Sequence, residues 1–374
     1  MSVFSNCTKK LYVATMVFLM TAIQTPSLYA GNGSDLPTII VANPTARNIE
    51  ILHFLTSKKI LNIDLNKVQI VGVYHTQQAY DFSESASFIK QNQLSWITLQ
   101  PISENLTAES VFAENECTPV FRDLFNRSVA TFFFGGPDIQ PELYGESNLY
   151  SVVTDPFRHL LEVSLSFHLT GSSRNPDFRP FLEDRPNYLV TGFCLGMQTM
   201  NVAAGGSLWQ DIPAQIYQKY SPEETLETDR NNLHRNYWQL VSDDPQLMTI
   251  NLHSIRFTDH PFFRKRIKTG KSAKPLIYSS HHQSMKDLGL GFEVTALSDD
   301  RKIVEAFVHS NYPNVFAVQF HPEVPALYED REALKFAPGD DARTMHQILG
   351  RRSVRFHTRY WKHISDIISN LIKE

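Results

Sequence analysis

Cysteine is scarce: the 374 residues hold three, Cys7, Cys117 and Cys194. Such a count gives no disulfide-stapled framework. There is no basic tract, and a formal net charge of −4 offers no reason to expect nucleic acid as a partner. No P-loop motif is present, so the usual phosphate cradle of an ATP-dependent enzyme is missing. Internal repeats and low-complexity runs are absent too. The one long apolar run, residues 11–23, is too short to span a bilayer comfortably.

That run follows Lys9 and Lys10 and precedes Gln24-Thr-Pro-Ser-Leu-Tyr-Ala30, the layout of a secretory signal peptide. The expectation is a leader over residues 1–30, cleaved after Ala30. The mature chain would be secreted or periplasmic, with no stable membrane anchor. It would carry a charge of −6, because the leader holds two lysines and no acid. Cys117 and Cys194 would be the cysteines left, and pairing them would silence Cys194. With 42% hydrophobic and 20% charged residues, the remainder reads as one soluble globular domain over 31–374.

Strand-like and helical stretches alternate from Thr38 onward, which predicts βαβ units around a largely parallel sheet. Apolar runs at 38–43, 67–74, 95–99 and 129–134 read as strands, with helices at 46–58, 80–91 and 119–126 between them. A further helix starts at Asp155-Pro156, a cap followed by a proline at the first helical position. Residues 207–275 read as loop plus edge strands. Strand-like pieces follow from Leu276 to Val318, and a helical tail from about residue 326 includes a helix at 355–372.

Three stretches carry chemistry. Tyr188-Leu-Val-Thr-Gly-Phe-Cys194-Leu-Gly-Met-Gln198 reads as a buried strand turning sharply into a helix. Gly192 and Gly196 remove side chains that would clash at such a turn. Cys194 then sits at a helix N-terminus, where free N–H groups and the helix dipole favour a thiolate. Gly135-Gly136-Pro137-Asp138 follows another strand and can leave N–H groups pointing into a crevice at its carboxyl end. His321-Pro322-Glu323 puts an imidazole and a carboxylate two residues apart just past a strand, where a carboxylate can orient the ring.

In that order, the three resemble the class I glutamine amidotransferase-like fold, which implies a three-layer α/β/α sandwich with a mostly parallel central sheet. Gly135–Glu146, Asn201–Ile212 and Ser279-Ser-His-His-Gln283 are similar to the γ-glutamyl-γ-aminobutyrate hydrolase family. The resemblance implies Cys194 as nucleophile, His321 as acid and base, and Glu323 as its orienting partner. Backbone N–H groups of Gly136 and Leu195 would form the oxyanion hole, with Gln198, His281 and Gln283 near the substrate. His281 reads equally well as a buried core histidine. The implied reaction is hydrolysis of a γ-glutamyl amide through a γ-glutamyl thioester, with a small-molecule substrate and no cofactor or metal. A homodimer is left open.

Leu195 and His159 depart from the family, which usually has arginine and aspartate there; His159 would touch helix capping. A secretory leader also departs from it, and leaves the amine unspecified. A secreted poly-γ-glutamyl hydrolase, and a catalytically inactive binding protein of the same fold, are the alternatives.

Overall fold

A computed structural model describes residues 36–270 and 272–373. The leader read at residues 1–30 lies outside the described residues. The strands are β1 (Thr38–Ala42), β2 (Gln69–His75), β3 (Ile97–Ile102), β4 (Ser128–Phe133), β5 (Leu189–Phe193), β6 (Leu208–Trp209), β7 (Asn251–Phe257), β8 (Leu276–Ser279), β9 (Ser284–Met285), β10 (Phe292–Ser298), β11 (Val304–His309) and β12 (Val315–Val318). The helices are α1 (Ala46–Ser57), α2 (Phe82–Gln91), α3 (Thr118–Arg127), α4 (Pro156–Thr170), α5 (Leu195–Ala203), α6 (Pro222–Leu226), α7 (Phe262–Lys265) and α8 (Met345–Leu371).

One ten-stranded sheet runs in the order β3-β2-β1-β4-β5-β12-β11-β10-β7-β8. Its first six strands are mutually parallel, and the last four extend it in antiparallel fashion. Because a strand alternates its side chains between faces, β1 sends Ile40 and Ala42 to one core and Ile39 and Val41 to the other. The first core receives α3, α4 and α5; the second receives α1 and α8. This is the expected α/β sandwich, and double-sided burial explains why its parallel strands read as unbroken apolar runs.

Two regions differ from the sequence reading. Residues 207–250 are packed rather than loose: Leu233, Tyr237, Met248 and Ile250 join Leu327, Phe336 and Leu349 in a third apolar cluster. Their backbone is irregular and is tied by buried amides. Asn236 Nδ2 donates to Met248 O at 2.7 Å and Phe336 O at 2.8 Å, and Asn251 Nδ2 donates to Leu233 O at 2.6 Å.

The second is the tail, whose helix begins at Met345 rather than near 355. A Thr344–Gln347 capping box starts it, and Gly350, at φ 63°, kinks it five residues later. Its Phe356, Tyr360, Trp361, Ile364 and Ile368 are buried against the sheet. At about 1.5–3 kcal/mol for each large apolar side chain removed from water, α8 is an integral layer, not an appendage. Among the described residues, no helix is long and apolar enough to cross a membrane.

Candidate active site

The carboxyl ends of β1, β4, β5 and β12, neighbours in the parallel part of the sheet, open onto one pocket of about 350 Å³. The chain leaves β1 toward β2 on one side and β4 lies on the other, so the pocket sits where the strand order reverses. Crevices of this kind are where open α/β sheets bind ligands.

Cys194 is the residue between β5 and α5. Its φ of 52° and ψ of −109° lie in a region that side-chain-bearing residues rarely adopt, so the turn is strained in the manner of a nucleophile elbow. Both flanking glycines are required. A β-carbon on Gly192 would lie 2.5 Å from the carbonyl carbon of Gly196, and one on Gly196 would collide with the carbonyl of Phe133. Leu195 opens α5, and its N–H is one of those a helix leaves without an intrahelical acceptor. Cys117 and Cys194 are both free thiols. Burial pushes the Cys117 thiol up to about 12, so it stays protonated and inert.

β12 runs beside β5 with Val318 opposite Phe193, and Cys194 N donates to Val318 O at 3.0 Å. The two strands therefore deliver Cys194 and the His-Pro-Glu turn to the pocket side by side. His321 Nδ1 lies 2.6 Å from Glu323 Oε1, and its Nε2 lies 3.2 Å from Ser280 Oγ. Burial disfavours a charged ring here, but Glu323 and the Cys194 sulfur outweigh it by charge and hydrogen bonding. The ring is held well above the usual histidine range. Two donors from elsewhere fix the turn: Trp361 Nε1 of α8 at 2.8 Å and the Tyr328 hydroxyl at 2.5 Å, both on Pro322 O.

The Gly135–Gly136 loop is set by Arg158. That guanidinium, buried in α4, donates from Nη2 to Phe134 O and Gly135 O, each at 3.0 Å, and from Nε to Glu162 at 2.9 Å. In a planar trans peptide the C=O and the next N–H point opposite ways, so holding Gly135 O turns Gly136 N–H away from Arg158. A β-carbon on Gly135 would come within 2.6 Å of the His321 ring, and one on Gly136 would run into Arg158.

Gly136, Cys194, Gln198, His281, Gln283, His321 and Glu323, all singled out in the sequence, line this pocket. Three of them also have other engagements, and the Gln198 amide nitrogen donates to Gln283 O and Gln319 Oε1, each at 3.4 Å. The Gln283 amide nitrogen holds Ser151 Oγ at 2.9 Å and Gln210 O at 3.2 Å, and His281 Nδ1 holds Gln283 O at 2.8 Å. His159 does not touch the α4 cap; Asp155 caps that helix through Arg158 N at 3.2 Å while His159 is fully buried.

Arg47, Asp138, Tyr278 and Ser280 line the pocket without having been singled out. For Arg47 a signal existed: it follows a Thr45 cap just after β1, where such folds place ligand contacts. In the pocket wall, His282 sits between Asp138 at 3.0 Å and Asp211 at 3.1 Å. Burial works against its charge, but the two carboxylates raise it to about 9.

A thiol at a helix N-terminus, an imidazole oriented by a carboxylate and a glycine loop with a fixed peptide form an arrangement that can support acyl transfer. The sequence matches the Peptidase C26 family model over residues 120–323, more than half of the chain. The chain belongs to the Peptidase C26 family. It is 30% identical over 191 residues to the glutamine amidotransferase-like protein YvdE of Lactococcus lactis subsp. lactis, covering 50% of this chain and 63% of that one. Protein NtpR of Enterococcus hirae is 27% identical over 190 residues, covering 51% and 64%. The chain thus spans less than two thirds of the length of these relatives.

Among solved structures, a glutamine amidotransferase from Methylobacillus flagellatus matches with a TM-score of 0.38 at 14% identity, covering 81% of this chain and 94% of that one. One from Thermotoga maritima matches with 0.37 at 11%, covering 91% and 100%.

Proposed function

We propose that this C26 member is a secreted cysteine hydrolase of γ-glutamyl amides, with Cys194, His321 and Glu323 as its catalytic triad and residues 31–374 as one hydrolase domain. The observation that carries the reading is the meeting of Cys194, in its strained turn, with the His321–Glu323 pair at 2.6 Å in one pocket.

In the proposed reaction the Cys194 thiol gives its proton to His321, and the sulfur attacks the γ-carbonyl carbon. The oxyanion is received by Gly136 and Leu195 N–H, each such donor being worth about 3–4 kcal/mol in the transition state. Collapse breaks the C–N bond, and His321 returns the proton to the departing amine. Water, deprotonated by His321, then attacks the thioester and frees glutamate and the thiol. Glu323 orients the ring and stabilises its charged form throughout. A γ-glutamyl group carries an ammonium and a carboxylate at its far end, and the pocket offers Asp138 and Arg47, one group of each sign. Gln198, His281 and Gln283 would shape the wall around it. The leader at 1–30 supports export, which N-terminal sequencing of the mature protein would test.

The decisive experiment is intact-mass measurement after incubation with an electrophilic glutamine analogue, comparing wild type with Cys194→Ala. One adduct on wild type alone is the expected result, followed by turnover of a panel of γ-glutamyl amines and peptides. No adduct on reduced, folded protein would overturn the reading in favour of a binding protein.

A further inference from the structure

We propose that His234, His253, His281 and Glu305 form a zinc site, built into the wall of the Cys194 pocket through His281, that ties the irregular 207–250 segment to the sheet. The four come from distant parts of the chain: His234 from that segment, His253 from β7, His281 from the loop after β8, and Glu305 from β11. One ligand atom from each lies within 4.8 Å of the others, and all four residues are buried. Glu305 Oε1 is 3.2 Å from His234 Nδ1, 3.7 Å from His253 Nε2 and 3.8 Å from His281 Nε2. A tetrahedral zinc with bonds of about 2.0–2.1 Å needs ligand atoms about 3.3 Å apart. Small side-chain shifts would bring these atoms to that spacing.

The site is unsatisfied without a cation. Both nitrogens of His234, Nε2 of His253, Nε2 of His281 and both oxygens of Glu305 are buried without a properly formed hydrogen bond. Native proteins rarely leave a buried polar atom unpaired, and six in one place need a common partner. The ring protons of two of the histidines are committed elsewhere. His253 Nδ1 lies 3.2 Å from Ser254 O and His281 Nδ1 lies 2.8 Å from Gln283 O, and a carbonyl only accepts, so the proton of each neutral ring sits on Nδ1. The Nε2 lone pairs then face the Glu305 carboxylate, an arrangement that repels until a cation enters. A backbone carbonyl on the far nitrogen is also the usual support for a ligating imidazole.

Three imidazoles and one carboxylate, closed and dry, form a donor set that suits zinc, and four protein ligands describe a structural rather than a catalytic site. What the ion would hold is the pocket wall. His281 stands between Ser280, whose hydroxyl faces His321, and Gln283, and Ser279 Oγ donates to His234 O at 2.5 Å.

The test uses the full mature chain with any affinity tag removed, purified from zinc-supplemented medium. Elemental analysis should find about one zinc per chain. Chelation should remove it and lower Tm, and Zn2+ alone should restore both. Co2+ alone should give the visible bands of a tetrahedral nitrogen and oxygen site, with no thiolate charge-transfer band, which separates this site from Cys194. His234→Gln and Glu305→Gln should lose the bound equivalent. Folded wild type that carries no zinc and takes up neither ion at micromolar concentration would overturn the proposal. So would folded His234→Gln and Glu305→Gln proteins that keep a full equivalent, or a cobalt spectrum showing thiolate.

Discussion

Two histidine–glutamate groupings stand close together in this molecule and differ in almost everything except residue type. At the mouth of β12, His321 and Glu323 form one short pair, 2.6 Å apart, whose open side faces the pocket. Behind the wall, Glu305 is shared among three rings at 3.2–3.8 Å, with no donor for either oxygen. One carboxylate facing one ring favours a proton that can be passed on. Three rings crowded on one carboxylate favour a cation that stays. The same side chains thus suit chemistry or architecture according to number, distance and access to water.

The sharpest way to break that distinction is to remove each carboxylate's charge in turn. Glu323→Gln keeps the shape but loses the ion that orients and charges His321, so kcat should fall by about 10²–10⁴-fold with Tm nearly unchanged. Glu305→Gln should show the reverse emphasis, a clear loss of Tm with a smaller fall in kcat. Steady-state kinetics and thermal unfolding of both variants check this. Equal losses of kcat at unchanged Tm would mean that Glu305 also belongs to the reaction.

The grouping around His321 was legible in the sequence and the buried one was not, for a physical reason. Cys194, Gly136 and His321 each follow a strand that is buried on both faces, so an apolar run announces the backbone and the next few residues announce the chemistry. His234, His253 and Glu305 meet only through tertiary packing. The segment around His234 has no periodicity, and its order comes from Asn236 and Asn251 holding carbonyls. Of that group only His281 stood out, through the motif that contains it. The early start of α8 was readable: Thr344-Met-His-Gln347 has the spacing of a capping box, and Gly350 hid the continuity.

Arg158 sharpens the comparison from the pocket side, since it is a buried charge faced by one carboxylate and two carbonyls. Arg158→Lys keeps the charge but cannot reach Phe134 O, Gly135 O and Glu162 with one planar fork. Gly136 N–H would lose its fixed direction. The expected result is a fall in kcat approaching the loss of one oxyanion donor, about 10²-fold, with KM little changed. A variant that loses KM instead would place Arg158 in ground-state binding.

A slower probe is acidity, which reads buried histidines that belong to neither grouping. His168, His309, His357 and His363 are each lowered to about 4 by burial. Folded, they stay neutral; unfolded, they take up protons near pH 6.5. The unfolded chain therefore binds more protons between about pH 6.5 and pH 4, and stability falls as pH falls through that window. Denaturant unfolding at pH 7, 6, 5 and 4 should trace the decline. A flat profile would mean that these rings take up protons in the folded protein as readily as in the unfolded chain.

The smallest effect expected is at Trp361, where architecture touches chemistry directly. Its indole N–H reaches Pro322 O across the sheet face, so α8 holds the turn between His321 and Glu323 from behind. Trp361→Phe keeps much of the apolar contact and removes that donor, while the Tyr328 hydroxyl still bonds the same carbonyl. The loss should be about 1 kcal/mol from the hydrogen bond, plus a contribution from the smaller ring, with kcat reduced only a few-fold. Removing Tyr328's hydroxyl as well leaves Pro322 O without either donor, so the double variant should cost more than the sum of the two single ones. Strict additivity would show that the turn is held by its own strand and not by the helix behind it.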